Sequence, residues 1–197
     1  MLDKTVPYIS VKMIKRYVRN YPKFKLPKGY GFLRYAKGYD RYWAEIVTSS
    51  GEFDAREDAL RYFRKEFKNT RLLGDRCFFV KDPEGRLSAT VMLWEGRDIE
   101  DILTGRLHWL SVRADAQGRG IAKALVTKLF EYNEANDIYE TIYLTTQTWS
   151  YPAVNIYRTF GFERYPDAKD QDADRKAWGI ISKKLDAYGK GPDDDII

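Results

Sequence analysis

Alternation of hydrophobic and polar residues along the chain predicts a set of short strands. Residues 30–36 alternate in this way and residues 141–146 are rich in β-branched side chains, both of which are typical of strands. Two further segments flank residues 82–85, Asp-Pro-Glu-Gly, whose composition favours a turn, so we predict a hairpin there. The predicted strands are 30–36, 75–81, 87–94, 106–113, 141–146, one that starts at 161–162, and 177–184.

Apolar residues at intervals of three and four predict helices between these strands. In the longest predicted helix, Ile121, Leu125, Leu129 and Tyr132 form one apolar face, and Asp40 is the expected N-cap of another helix. The predicted helices are 41–48, 52–67, 118–136 and 152–160. Both spacings fit parts of residues 6–18, so we leave that segment unassigned. The order of elements predicts an α/β (α+β) fold, with one mixed sheet flanked by helices.

Composition indicates one globular domain with an anionic partner. The chain has 197 residues, of which 44% are hydrophobic and 32% are charged, and that length is enough to bury a substantial core. The net charge of +5 fits nucleic acid, a membrane surface or a phosphorylated cofactor as the partner. Charge alone does not choose among these three.

Cysteine and histidine are almost absent, since Cys77 and His108 are the only residues of their types. They cannot form a disulfide framework or a Cys/His zinc site, so we expect no metal centre and a reducing compartment. No segment approaches the roughly 18 consecutive apolar residues of a membrane span, and residues 1–16 lack the apolar region of a signal peptide. We therefore expect a cytoplasmic protein that does not enter a membrane.

The segment KGYGFLRY, residues 28–35, matches the aromatic strand of an RNA-recognition module. Such a module needs a strand and a helix before this strand, but prolines precede it, and the next two predicted elements are helices. We interpret the segment as an ordinary first strand, whose Tyr30, Phe32 and Tyr35 pack on the sheet or line a pocket. We therefore expect no nucleic-acid partner, and keep a basic nucleic-acid module as an alternative.

A glycine-containing turn after the strand at 106–113 carries the clearest chemistry. It opens the longest predicted helix, and exposed N–H groups at such a helix start bind phosphate. A dinucleotide site requires a third glycine at the position of Lys123. It also requires an acidic residue at the end of the next strand, but that strand ends in Thr145-Thr146-Gln147. The Rossmann interpretation is therefore weak, and a Walker A loop is absent.

The turn resembles the coenzyme A pyrophosphate loop of the GNAT N-acetyltransferase superfamily. Gln117, Gly120 and Ala122 complete its pattern, [QR]-x-x-G-x-[GA], and residues 153–162 resemble a second motif of that family, A-x-x-[LI]-Y-x-x-x-G-F. The resemblance covers about residues 29–186 and makes KGYGFLRY the first strand. We accordingly divide the chain into an N-terminal extension 1–28, an acetyltransferase domain 29–187 and a tail 188–197 that we expect to be disordered.

The resemblance implies acetyl-CoA as co-substrate, held where the parallel strands at 106–113 and 141–146 splay apart. Tyr157 stands where the family keeps its general acid, and Ser150 stands where many members have asparagine, which leaves its contact with the cofactor open. The residues expected to bind the cofactor are Leu110, Ser111, Val112, Gln117, Gly118, Arg119, Gly120, Ile121, Ala122, Ser150 and Tyr157.

The sequence also offers candidates for the general base and for the acceptor of the acetyl group. Strand alternation predicts that His108, Leu110 and Val112 share one face, which makes His108 a candidate base; a carboxylate acting through water is the competitor. Cys77 is assigned to the core. The resemblance implies a small-molecule or peptide amine as acceptor and suggests a homodimer. A non-catalytic acyl-CoA sensor is the second alternative.

Overall fold

One mixed sheet organises the computed structural model, which describes residues 2–98, 100–166 and 170–188. Its order among these residues is β2-β3-β4-β5-β6-β1-β7, and β5 and β6 are its parallel neighbours. The strands are β1 Ser10–Lys15, β2 Gly31–Arg34, β3 Cys77–Lys81, β4 Leu87–Arg97, β5 Leu103–Val112, β6 Ile142–Gln147 and β7 Glu163–Arg164. The helices are α1 Asp40–Ser49, α2 Arg56–Glu66, α3 Thr70–Arg76, α4 Ile121–Ala135, α5 Tyr151–Thr159 and α6 Gln171–Tyr188. The predicted mixed sheet flanked by helices is confirmed.

Helices cover both faces of the sheet. On the α4 face, α4, α5 and α6 bury an apolar cluster that includes Leu125 and Phe130. On the α1 face, α1, α2 and α3 bury a second cluster around Trp43, whose indole ring lies 5.0 Å from that of Phe63. Each large apolar side chain buried in this way stabilises the fold by about 1.5–3 kcal/mol.

The predicted hairpin is confirmed between β3 and β4. The Gly85 N–H donates to the Asp82 carbonyl over 3.0 Å, and the Asp82 N–H donates to the Arg86 carbonyl over 2.9 Å. Gly85 has a φ of 88°, a conformation that glycine adopts without steric cost. Turn chemistry was therefore a sound guide to this part of the fold.

The prediction of a strand at 177–184 is wrong, because this segment lies within α6. Asp174, Ala177, Trp178 and Ile181 are buried, at the spacing i, i+3, i+4, i+7 of one helical face. The Trp178 Nε1–H also donates to Asp174 one turn earlier, over 3.1 Å. A short apolar run fits a strand and a buried helix equally well, and a window extended to Asp174 reveals the helix.

Several helix boundaries also differ from prediction. Asp40 is the first residue of α1 rather than its cap, and α2 begins at Arg56, four residues later than expected. Helix α3 was missed; the Asn69 side chain caps it by accepting a hydrogen bond from the Leu72 N–H over 3.0 Å. It occupies the start of the strand predicted at 75–81, which begins at Cys77 instead.

The segment left unassigned at 6–18 contains β1, an interior strand. It pairs with β6 on one side and with β7 on the other, antiparallel in both cases. Strand β1 lies in the predicted extension 1–28, so that extension supplies part of the sheet. Residues 189–197 of the predicted tail lie outside the described residues.

Candidate active site

The parallel strands β5 and β6 separate soon after they begin to pair. They are in register only at Gly105 with Ile142 and at Arg106 with Tyr143. Beyond these pairs, the edge of β5 that faces β6 has no strand partner within the described residues. The splay predicted from the sequence is confirmed, and it leaves main-chain groups of β5 available to an extended ligand.

A β-bulge in β5 changes which side chains reach each face. Thr90 pairs with Ser111 and Met92 with His108, so β5 has one more residue between these pairs than β4. Trp109 lies in this interval with a φ of 51°, a conformation that is uncommon for residues other than glycine. The extra residue shifts the side-chain alternation by one position.

The prediction that His108, Leu110 and Val112 share one face is therefore wrong. Leu110 and Val112 pack with the cluster on the α4 face. The His108 ring lies 5.8 Å from that of Phe67, in the cluster on the α1 face. A bulge is not visible in the pattern of a single strand, because it depends on pairing with a neighbour.

The predicted turn has the backbone form of an anion cradle. Gly118 and Gly120 have φ values of 75° and 76°, and Gly120 directly precedes α4. A Cβ built on either glycine would meet no atom within 4 Å, so φ rather than crowding requires glycine there. The first helical hydrogen bond runs from the Ala124 N–H to the Gly120 carbonyl. The N–H groups of Ile121 and Ala122 precede it and, like other first-turn donors, have no acceptor within the helix.

Two long side chains fix this turn. The Gln117 Nε2 donates to the Val112 carbonyl over 3.0 Å and ties the turn to the end of β5. The Arg119 guanidinium donates to the Tyr30 hydroxyl over 2.8 Å and to the Asp115 carbonyl over 3.0 Å. Tyr30 belongs to the KGYGFLRY segment and is partly buried against the α4-face cluster, so this residue packs on the sheet, as predicted, and also orients Arg119.

Tyr157 lies in α5 and is 6% exposed, packed on the α4 face. Burial raises the pKa of the Tyr157 hydroxyl, and the negative charge of Glu52 raises it further. Tyr157 is therefore a neutral phenol at physiological pH and holds a proton that it can donate. Ser150 immediately precedes α5, and its hydroxyl accepts a hydrogen bond from the Gln147 Nε2 over 3.1 Å.

Glu52 is a residue that the sequence reasoning missed. It lies between α1 and α2, and its charge acts on Tyr157, more than a hundred residues away in the chain. Glu52 is exposed as a residue, but neighbouring protein atoms desolvate its carboxyl and raise the pKa, while hydrogen bonding from Gln147 and the charge of Lys4 oppose that shift. A carboxylate with a raised pKa, beside a candidate acid, is a candidate general base. No motif marks it, because the fold alone brings these residues together.

His108 is poorly matched to the role of a base. Burial lowers the pKa of its imidazole to about 3, and the charge of Arg106 contributes to the shift. A general base works best with a pKa near the working pH. The base role of His108 stays a prediction, and Glu52 is its competitor.

Cys77 is fully buried within the α1-face cluster, which confirms its assignment to the core. Burial raises the pKa of its thiol to about 12, so the thiolate is scarce at neutral pH. No group of three or more His, Cys, Asp or Glu residues in the described ranges is arranged to hold a metal ion. Nor does any helix among the described residues combine the length and apolar character that crossing a membrane requires.

Comparison with known proteins identifies the family. Residues 36–162 match the acetyltransferase (GNAT) family, which is more than half of the chain. The chain therefore belongs to the GNAT acetyltransferase family, as its glycine turn and splayed strands had indicated.

Individual relatives are more distant. The chain is 31% identical over 94 residues to N-acetylaspartate synthetase from Danio rerio, covering 48% of this chain and 32% of that protein. A GCN5-related N-acetyltransferase from Sphaerobacter thermophilus has a TM-score of 0.61 at 21% identity, over 80% of this chain and 49% of that one. An acetyltransferase of the GNAT family from Colwellia psychrerythraea has a TM-score of 0.59 at 12% identity, over 81% and 54% of the two chains.

The chain matches only part of each of these proteins. The chain spans about a third of the length of the curated relative and about half of each of these two solved chains. At identities near 20% and below, the structural likeness is evidence for the fold alone.

Proposed function

We propose that the chain is an N-acetyltransferase that transfers the acetyl group of acetyl-CoA directly to a primary amine. The observation that carries this proposal is that β5, after it separates from β6, leads into the glycine turn that precedes α4. The electrostatic interaction between Glu52 and Tyr157 adds a candidate pair of proton-transfer groups. Family membership and the positive charge of the chain support it.

The residues present fit acetyl-CoA. In this proposal, the N–H groups of residues 117–122 hold the pyrophosphate, because first-turn N–H groups have no acceptor within the helix and α4 has no acid in its first turn. Main-chain groups of Leu110, Ser111 and Val112 pair with the pantetheine arm along the open edge of β5. The Ser111 hydroxyl lies 2.9 Å from that of Ser50, so only its main chain serves the cofactor. The thioester supplies the acyl group.

Glu52 and Tyr157 divide the proton transfers in the proposed mechanism. The Glu52 carboxylate takes a proton from the acceptor amine, directly or through water, which frees its nitrogen lone pair for attack. As the C–N bond forms and the C–S bond breaks, the Tyr157 hydroxyl donates its proton to the departing sulfur, and the second proton that the nitrogen loses on becoming an amide restores the Tyr157 hydroxyl. The main-chain N–H near Leu110 stabilises the negative charge that develops on the carbonyl oxygen.

Acceptor, compartment and assembly also belong to the proposal. The acceptor is a primary amine of a small molecule or a peptide, and the Danio rerio relative is named for the synthesis of an acetylated amino acid. The single buried cysteine suits a reducing compartment, and on that ground we propose the cytoplasm. We further propose that the catalytic domain extends from β1 to α6, because β1 is an interior strand of its sheet, and that it forms a homodimer.

Thermal unfolding with acetyl-CoA, NADH or a short RNA tests the ligand class. At about one hundred times its Kd, a ligand stabilises the folded state by about 2.7 kcal/mol, and we expect that stabilisation with acetyl-CoA alone. Stabilisation by NADH or RNA instead would reject the proposed pyrophosphate site.

A substitution at Tyr157 then separates an enzyme from a sensor. Tyr157→Phe should keep the thermal shift with acetyl-CoA but lower kcat by about 10²–10⁴-fold, because the proton donor is lost. Tyr165→Phe is the control. Tyr165 is also buried, but its hydroxyl donates to Asp98 and has no role in the proposed mechanism. A wild-type protein that binds acetyl-CoA and acetylates no amine in a broad screen is a sensor.

A further inference from the structure

Arg106 is a half-buried cation that forms no ion pair with the carboxylates that the structure describes. Three arginines in the described residues are half-buried, namely Arg76, Arg106 and Arg113. Arg76 donates to the Tyr139 hydroxyl over 2.9 Å, and Arg113 forms an ion pair with Asp115 at 3.2 Å. The Nε of Arg106 is buried without a hydrogen-bond partner, and its guanidinium forms no ion pair with any described carboxylate.

Arg106 is located where the two parallel strands begin to separate. It lies on β5 at the last register pair before the splay, opposite Tyr143 of β6. Its guanidinium carbon lies 5.8 Å from the centre of the Tyr143 ring. Its charge lowers the pKa of His108 and opposes the burial-induced rise of the Tyr62 pKa, which places it on the α1 face.

Glycine makes room for this arrangement on the neighbouring strand. A Cβ at Gly96 would collide with the Tyr143 hydroxyl and would come within 3.7 Å of the Arg106 side chain. The ring of Trp109 lies 5.4 Å from that of Tyr62, and both residues belong to the apolar surroundings of the α1-face cluster. The Nε–H of Arg106 has lost its hydration in these surroundings without gaining an acceptor, which is unfavourable unless a ligand supplies one.

The negative charge of Glu52 is also associated with strand β6. Glu52 interacts with Gln147 at the end of β6, and Arg106 lies beside Tyr143 of that strand. Gln147 lies four positions after Tyr143, about 13 Å along a strand, so the two charges are separated by a distance of this order. This layout complements a small molecule with an amine at one end and an anion at the other.

We propose that Arg106 binds a carboxylate of the acceptor, so that the acceptor is a small amine carrying a carboxylate group. This inference rests on the proposed acetyl transfer. The planar guanidinium offers paired donors that match the two oxygens of a carboxylate. Glu52 then meets the amine end of the same molecule, and an acceptor without a carboxylate leaves Arg106 unpaired.

Matched acceptors test the inference. We would measure acetyl transfer to aspartate, glutamate and β-alanine, each beside the amide in which every carboxylate is blocked. The acids should exceed their amides in kcat/KM by about 100-fold or more, since a buried donor left unpaired is strongly unfavourable. Equal use of acids and amides would overturn the proposal.

Substitutions assign the effect to Arg106. R106Q should lower kcat/KM for the acids by about 100-fold, mainly through KM, and should bring the acid-to-amide ratio close to one. R106K should fall between R106Q and wild type, because lysine keeps the charge but lacks the paired donors. R34Q is the matched control, because Arg34 also lies over a tyrosine ring, at 5.2 Å from Tyr132, but is exposed.

Binding measurements separate this inference from the acetyltransferase proposal. Each variant is first checked for a wild-type thermal shift with acetyl-CoA, which shows that it is folded. Thermal shifts with the acids and amides are then recorded independently of turnover. An acid-specific shift that R106Q abolishes supports the carboxylate site even if no acetyl transfer occurs, and its absence in wild type refutes the site even if transfer does occur.

Discussion

At the scale of single residues, the directions of the pKa shifts favour Glu52 over His108 as the general base. The pKa of Glu52 is raised by partial desolvation of its carboxyl, whereas that of His108 is lowered to about 3. In wild type, kcat/KM should therefore rise with pH through a value above the ordinary glutamate pKa of about 4.3, as the carboxylate forms. In Glu52→Gln, kcat/KM should fall by about 10²–10⁴-fold, and the remaining rate should follow the deprotonation of the acceptor itself.

The matched variant at the competing position is His108→Gln. It should keep the acid limb of the pH–rate profile, because the Glu52 carboxylate is intact. If His108→Gln loses that limb while Glu52→Gln retains it, the assignment of the base is reversed. Both variants should show the wild-type thermal shift with acetyl-CoA, since neither side chain belongs to the proposed pyrophosphate turn.

At the scale of elements, β1 is the least expected part of the sheet. Met13 in β1 is fully buried on the α4 face, and α6 packs its buried residues into the same cluster. Met13→Ala should lower the free energy of unfolding by about 2–5 kcal/mol, because it leaves a cavity between strand and helix. Urea denaturation measures this change, with exposed Ser10→Ala in the same strand as control. Equal stability of the two variants would mean that β1 does not contribute to the core.

At the scale of the whole molecule, the N-terminal segment ties distant parts together. The Asp3 N–H donates to the Trp149 carbonyl over 3.0 Å, and the Asp3 carboxylate accepts a hydrogen bond from the Lys184 Nζ over 2.7 Å. That bond, together with hydrogen bonds from Thr5, lowers the pKa of Asp3 to about 2. Lys4 also lies 3.6 Å from Asp54, in the connection between α1 and α2.

This link predicts a pH-dependent contribution to stability. A carboxyl with a pKa below its unfolded value of about 3.9 stabilises the folded state above that pH, and the contribution disappears as pH falls towards about 2. Asp3→Asn should therefore lower Tm at pH 7, and the difference from wild type should shrink as the solution is acidified. Asp54→Asn is the control and should change Tm little at any pH, because the Asp54 side chain is 98% exposed. A difference between Asp3→Asn and wild type that is constant from pH 7 to pH 2 would contradict the assignment.

Local patterns explain what the sequence by itself determined about this protein. Turn residues predicted the β3–β4 hairpin, apolar spacing predicted α1, α4 and α5, and Gln117, Gly120 and Ala122 pointed to the family. These signals are readable because each depends on residues close together in the chain. The mixed sheet and the splay of β5 from β6 followed from the order of these elements and from the family resemblance.

Only the tertiary structure decided the features that depend on contacts between distant segments. The bulge in β5 exists only relative to β4, and it moved His108 to the α1 face, away from Leu110. The C-terminal segment became α6 because an apolar surface was available for one face of a helix, which a short apolar run does not reveal. Glu52 and Arg106 carry no motif, and their chemistry comes from burial and from neighbours that the fold supplies. A charge acquires a shifted pKa or an unfilled bonding capacity only when packing removes water from it.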